Sequence, residues 1–237
     1  DCNQECSPPV ITNGIDVAFI VDNTGSVGDE PLTSLKNGLT TILDNIAAAS
    51  GYNYRLSLVT PDEDQVHVRL PFSLNNRDAF EDAVNAIPGP EDGGANGGQD
   101  PESTDECLST IVNGLAAANR VNPRNCTPRS SPVQTGDFSP SFRSGALKLV
   151  VVITDHEPGG FCDTGDGGAR AGIYAQEARN QCIHVNAIQV NNNGDATPIM
   201  LNYFHETCGW YEQTDSDGTG IAQYVNRMLY VPGDCNC

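Results

Sequence analysis

Asp22-Asn23-Thr24-Gly25-Ser26 follows directly on the apolar run Val17-Ala18-Phe19-Ile20-Val21, so a carboxylate and two hydroxyls recur at every second position just past a strand. A continuous apolar run of this kind reads as a strand buried on both faces, as in a parallel sheet. A chain leaving such a strand at its carboxyl end delivers side chains into the crevice where α/β sheets bind ligands. Hard oxygen donors gathered there suit Mg²⁺, Mn²⁺ or Ca²⁺ rather than zinc. The same residue types are also ordinary turn formers, so the pentapeptide needs support from elsewhere in the chain.

Two distant segments supply it. Lys148-Leu149-Val150-Val151-Val152-Ile153-Thr154-Asp155 is a second buried-strand run ending in a carboxylate, and Asp100-Pro101-Glu102-Ser103-Thr104 opens a helix after a glycine-rich loop. In this order the three segments resemble the metal-ion-dependent adhesion site of von Willebrand factor A domains, where the first motif reads Asp-x-Ser-x-Ser. Thr24 replaces the first serine and keeps the hydroxyl. The resemblance implies a metal set of Asp22, Thr24, Ser26, Glu102 and Asp155. Glu102 is chosen because Asp-Pro-Glu resembles the Asp-x-Pro-Glu of integrin β-subunit domains, although the residue between Asp and Pro is missing here; Thr104 is the alternative third ligand. Asp29 and Glu30 fall where those subunits carry a carboxylate pair for an adjacent Ca²⁺. They equally suit the first turn of a helix, which the macrodipole favours for acids. Asn23, Asp100, Thr104, His156 and Glu157 form the expected ligand-binding rim.

The elements that position these residues follow from periodicity. Strands are expected at Ile15 to Val21, Tyr54 to Thr60, Gln65 to Phe72, Lys148 to Thr154, Ile183 to Val190 and Trp210 to Gln213. Helices are expected at Pro31 to Ala49, Asn75 to Ile87, Pro101 to Asn119, Ala169 to Asn180, Pro198 to Glu206 and Ile221 to Leu229. Pro88 to Gln99 holds five glycines and two prolines, so it crosses the rim as a loop. Asn122 to Gly145, with Arg124, Arg129 and Arg143, reads as a long structureless linker on the opposite face, its arginines solvated or a second contact patch. Strands alternating with helices give an α/β fold with a doubly wound sheet. By resemblance it is mostly parallel and six-stranded, in the order 3-2-1-4-5-6, with the second strand of the hairpin antiparallel at the edge.

With 237 residues and no repeat, the chain fits a single domain over 1–237. No stretch of about eighteen apolar residues occurs, so no membrane insertion is expected. The start at Asp1-Cys2, without a greasy leader, suggests a mature secreted form or an excised part of a larger surface protein. A formal charge of −19, from 31 acidic against 12 basic residues, disfavours nucleic acid and anionic lipid as partners. Nine cysteines without a Cys-x-x-Cys pair point to disulfides in an oxidising, extracellular setting. Asn125-Cys126-Thr127 is a formal glycosylation sequon. Placing each cysteine at an end of the sheet predicts Cys107 with Cys162 and Cys182 with Cys208; the alternative for Cys107 is a free thiol buried on the core side of its helix. In the fold the resemblance implies, both termini meet, so Cys2 and Cys6 pair with Cys235 and Cys237, leaving Cys126.

The function implied by the resemblance is adhesion or recognition: an acidic side chain of a protein ligand completes the coordination of Mg²⁺, Mn²⁺ or Ca²⁺. A structural module of a matrix or surface array, its metal only stapling loops, is the alternative. A metal-dependent hydrolase using Asp155-His156-Glu157 is the third reading, disfavoured because the chain has no Gly-x-Ser-x-Gly, His-Glu-x-x-His or phosphate-loop motif. No enzymatic activity is expected. His67, His184 and His205 lack ligand spacing and read as structural.

Overall fold

The structure, a computed structural model, describes residues 13–62, 65–89, 103–120, 133–160, 162, 170–191 and 196–229. Their elements are β1 (Ile15–Val21), α1 (Asp29–Ala49), β2 (Tyr54–Asp62), β3 (Gln65–Leu74), α2 (Arg77–Asn85), α3 (Thr104–Asn113), a 3₁₀ turn (Ala117–Asn119), β4 (Val133–Thr135), β5 (Leu147–Thr154), α4 (Ala171–Asn180), β6 (Ile183–Val190), α5 (Ala196–Thr207), β7 (Tyr211–Thr214) and α6 (Ile221–Met228). The sheet has seven strands in the order β4-β3-β2-β1-β5-β6-β7. Among the described residues only β2 and β3 pair antiparallel. The α/β class and mostly parallel sheet therefore stand. The expected six strands become seven because residues 133–135, placed in the structureless linker, form β4. Three residues with one buried side chain carry too little alternation to be seen in sequence. β4 pairs with β3, so the antiparallel strand is interior rather than the edge.

Apart from Asp16, β1 is apolar because both faces are covered. Ile15, Val17, Phe19 and Val21 pack with α1, α2 and α6, while Ala18 and Ile20 face the cluster built by α3, α4 and α5. α3 ends at Asn113, short of the expected Asn119, because Gly114 takes the left-handed conformation that stops a helix. Thr104 to Val112 of α3 are all buried, including Asp105 and Glu106.

At the amino end of β1 the buried charge is balanced. Asp16 is fully buried and accepts from Arg55 Nη2 at 2.5 Å and Nε at 3.0 Å. It also takes the Arg143 backbone N–H and Nε, each at 2.8 Å. Burial alone would raise its pKa, but these hydrogen bonds outweigh burial and hold the carboxyl below its usual value. Arg143 is thus a structural cation, not a solvated linker residue; Arg124 and Arg129 lie outside the described residues.

The expected Cys107–Cys162 and Cys182–Cys208 bonds do not form, since Cys107 and Cys182 are free. Cys107 points into the apolar cluster beneath the sheet, where burial pushes its thiol well above the ordinary value, and Cys182 faces solvent. Cys162 and Cys208 are disulfide-bonded. Cys2, Cys6, Cys126, Cys235, Cys237 and Asn125 lie outside the described residues. His184 is buried, its Nδ1 3.0 Å from the Thr207 carbonyl, a structural role.

Candidate metal centre

β1 and β5 run side by side in register, Val21 beside Ile153, and so end together. That places the carboxylates just beyond them, Asp22 and Asp155, at the same rim. Asp22 Oδ1 accepts the Thr24 backbone N–H at 2.9 Å and the Thr24 hydroxyl at 2.7 Å, curling the chain back over the carboxylate. Thr24 Oγ1 lies 3.3 Å from Ser26 Oγ, which donates to Asp155 Oδ1 at 3.0 Å. Four of the five expected donors, Asp22, Thr24, Ser26 and Asp155, thus form one chain of oxygens. A residue that sequence reasoning passed over closes the other side: Thr154 donates to Asp22 Oδ2 at 2.5 Å. Its position one before the strand-end aspartate was the available signal.

Both carboxylates are buried, Asp22 at 2 % and Asp155 at 8 % exposure. Among the described residues their hydrogen bonds come from hydroxyls and backbone N–H groups, with no cationic side chain among the donors. Burial, foremost, raises the pKa of Asp22; burial and then the charge of Asp22 push Asp155 up to about 6. Two anions taken out of water, with no cation hydrogen-bonded to them and the His156 ring beside them offsetting part of the burial, are the electrostatic condition that a hard cation relieves.

The fifth donor falls differently. Glu102 and Asp100 lie outside the described residues. Thr104 is fully buried in the first turn of α3, and its Oγ1 has no hydrogen-bond partner among the described residues. Leaving a buried hydroxyl unpaired costs about 1–3 kcal/mol. An unpaired hard oxygen at the start of α3 and two buried carboxylates joined through hydroxyls at the ends of β1 and β5 are donors of the kind that fit Mg²⁺, Mn²⁺ or Ca²⁺. The rim residues are placed as follows: Asn23 is buried with an unpartnered Oδ1 among the described residues, Glu157 is buried, and His156 is half-buried. The His156 backbone N–H donates to Thr154 Oγ1 at 3.2 Å. Asp29 and Glu30 are exposed in the first turn of α1, lining a cleft of about 310 Å³ with Asp217 from the loop before α6.

Residues 16–120 match the von Willebrand factor type A domain. No curated protein matches the sequence. Among solved structures, proximal thread matrix protein 1 from the mussel byssus superposes with a TM-score of 0.61 at 13% identity, covering 91% of this chain and 47% of that one. The chain therefore spans about half the length of the mussel protein. A von Willebrand factor type A protein from Catenulispora acidiphila gives 0.56 at 13% identity, over 92% of this chain and 42% of that one. The corresponding domain of SpRpn10 gives 0.56 at 9% identity, over 90% of this chain and 95% of its own. Identities this low carry the fold alone. Taken with the match over 16–120, they make the architecture that of a von Willebrand factor A domain, as the resemblance implied. No helix among the described residues is long and apolar enough to cross a membrane.

Proposed function

We propose that this von Willebrand factor A fold is an extracellular recognition module that binds a protein ligand through a divalent cation, Mg²⁺ or its substitutes Mn²⁺ and Ca²⁺. Asp22, Thr24, Ser26 and Asp155 hold the ion, with Thr104 as the third element's donor in preference to Glu102. The observation that carries this reading is the pair of buried carboxylates with raised pKa values, joined through two hydroxyls and hydrogen-bonded to no cation among the described residues. When bound, the cation supplies a coordination position that takes a carboxylate oxygen of the partner in place of water. Thr154 and the Thr24 backbone N–H keep Asp22 oriented, and Asn23, His156 and Glu157 shape the rim around it. Disulfide bonding at Cys162 and Cys208 supports an oxidising, secreted setting. The module is assigned no catalytic role.

The test is capture of partners from the native environment with Mg²⁺, with Mn²⁺, with EDTA, and with Asp155→Ala. Capture that requires the ion and Asp155 is the expected result; identical capture in all four conditions would sink the proposal. The stoichiometry of a Ca²⁺ titration decides whether Asp29 and Glu30 take a second ion, and one site per chain rules that out. A second reading, a matrix module in which the ion only staples loops, is favoured by the structural likeness to a mussel thread matrix protein. It predicts metal-dependent stability without metal-dependent capture.

A further inference from the structure

Glu106 lies in the first turn of α3, fully buried, with both carboxylate oxygens engaged. Oε2 accepts from Arg120 Nη1 at 2.8 Å and Oε1 from the Tyr174 hydroxyl at 3.2 Å. Arg120, just past the 3₁₀ turn, also donates to the Glu106 carbonyl at 3.2 Å and to Gln134 Oε1 at 3.0 Å. Gln134 in turn donates to the carbonyls of Leu115 at 2.8 Å and Gly136 at 2.9 Å. The paired side chains are only 3 % and 0 % exposed. Such a pair contributes little net stability, because desolvating both ions offsets most of their attraction, and an apolar pair of the same volume would hold the helix as well.

What an apolar pair would not reproduce is the contact with the segment that follows β5. A Cβ on Gly160 would stand 2.8 Å from Glu106 Oε1 and 3.3 Å from its Cγ, so the backbone there passes directly against the carboxylate. Next to it, the Gly159 carbonyl accepts the Asp105 backbone N–H at 2.8 Å. The turn of α3 that carries Thr104 and the segment that begins at Asp155 are therefore set against each other through Glu106 and its neighbour.

We propose, resting on the metal centre assigned above, that Glu106 is a positioning residue for that centre: clamped by Arg120 and Tyr174, it fixes the separation of Thr104 on α3 from Asp155 at the end of β5. Mg²⁺ needs near-octahedral donors at short distance whereas Ca²⁺ tolerates looser sets. Loosening the clamp thus weakens Mg²⁺ more than Ca²⁺, a selectivity change that general destabilisation would not produce.

Calorimetric titration with Mg²⁺, Mn²⁺ and Ca²⁺ of the wild type, Glu106→Gln/Arg120→Met and Gly160→Ala tests this, with melting curves in EDTA run in parallel. The double variant removes both charges and keeps the shape; Gly160→Ala pushes the two segments apart and decides the matter if the double variant does not fold. Expected are an EDTA melting curve close to wild type for the double variant and a lowered one for Gly160→Ala, and in both Mg²⁺ affinity weaker by about 10–100-fold, the range seen when groups that orient metal ligands are lost, with a smaller loss for Ca²⁺. Folded variants that bind all three ions as the wild type does overturn the positioning role alone. A wild type that binds none of them overturns the metal centre itself, and this proposal with it.

Discussion

Asp16 and Asp22 stand at opposite ends of the same buried strand, both removed from water, and they are treated in opposite ways. Asp16 is met by two guanidinium groups and a backbone N–H, so its charge is balanced within the fold. Among the described residues Asp22 is hydrogen-bonded by hydroxyls and a backbone N–H and by no guanidinium, its near neighbour Asp155 adds a second negative charge, and the His156 ring offsets only part of the burial. A buried carboxylate with its own arginines is finished when the chain has folded. One without them leaves part of its stabilisation to be supplied from outside, and the difference separates scaffold from site more sharply than burial or residue type does.

The largest effect that tests this contrast is substitution at the balanced end. Asp16→Ala leaves Arg55 buried without its partner, and breaking such a pair costs about 3–5 kcal/mol. Asp22→Asn, measured by the same denaturant titration in EDTA, is expected to change stability by about 1 kcal/mol or less, since it removes a buried charge to which no cation is hydrogen-bonded. Equal losses at the two positions would erase the distinction.

The two ends also respond to pH with opposite sign. Asp16 has a depressed folded pKa, so its contribution is present above the unfolded value of about 3.9 and is lost as pH falls through the lower folded value. Asp155 has a folded pKa of about 6, above its unfolded value. Between about pH 4 and 6 the native state holds more protons, and stability falls as pH rises through that window, by at most about 1.4 kcal/mol for each pH step of one. In EDTA the melting temperature should therefore decline from about pH 4 to about pH 7. Saturating Mg²⁺ should remove the decline. A flat profile in EDTA would mean that the carboxylates at this rim are already compensated.

The smallest effect concerns Thr104. Replacing it with the isosteric valine removes a buried hydroxyl that has no partner among the described residues. Stability in EDTA should rise by about 1 kcal/mol, while stabilisation by Mn²⁺ shrinks. A loss of stability in EDTA would show that the hydroxyl is already bonded and is not waiting for an ion.

How far the sequence could be read differs along the chain for physical reasons. Strands β1, β5 and β6 were legible because burial on both faces demands unbroken apolar runs, and the oxygens of Asp22, Thr24, Ser26 and Asp155 were legible because they follow those runs directly. Glu106, Arg120 and Gln134 were not, because each is an ordinary polar residue until the fold brings the three together. Arg143 was misjudged for the same reason: its partner Asp16 lies 127 positions away, hidden inside an apolar strand. The Cys107–Cys162 and Cys182–Cys208 pairings failed on a subtler point. Assigning Cys107 to one end of the sheet left its direction open between a bridge and the core, and on a helix buried from Thr104 to Val112 that direction is inward, as the free-thiol alternative had it.

The segment that matches the von Willebrand factor type A domain ends at residue 120, but β1 is hydrogen-bonded to β2 on one side and to β5 on the other. A fragment cut at that boundary would carry its central strand with one edge bare along its whole length, and Asp22 would lose the hydroxyl of Thr154. An exposed apolar edge of that kind recruits strands from other chains. The recognisable stretch is therefore shorter than the stretch that must fold together, and dividing this chain at the recognisable boundary would yield an aggregating piece rather than a smaller domain.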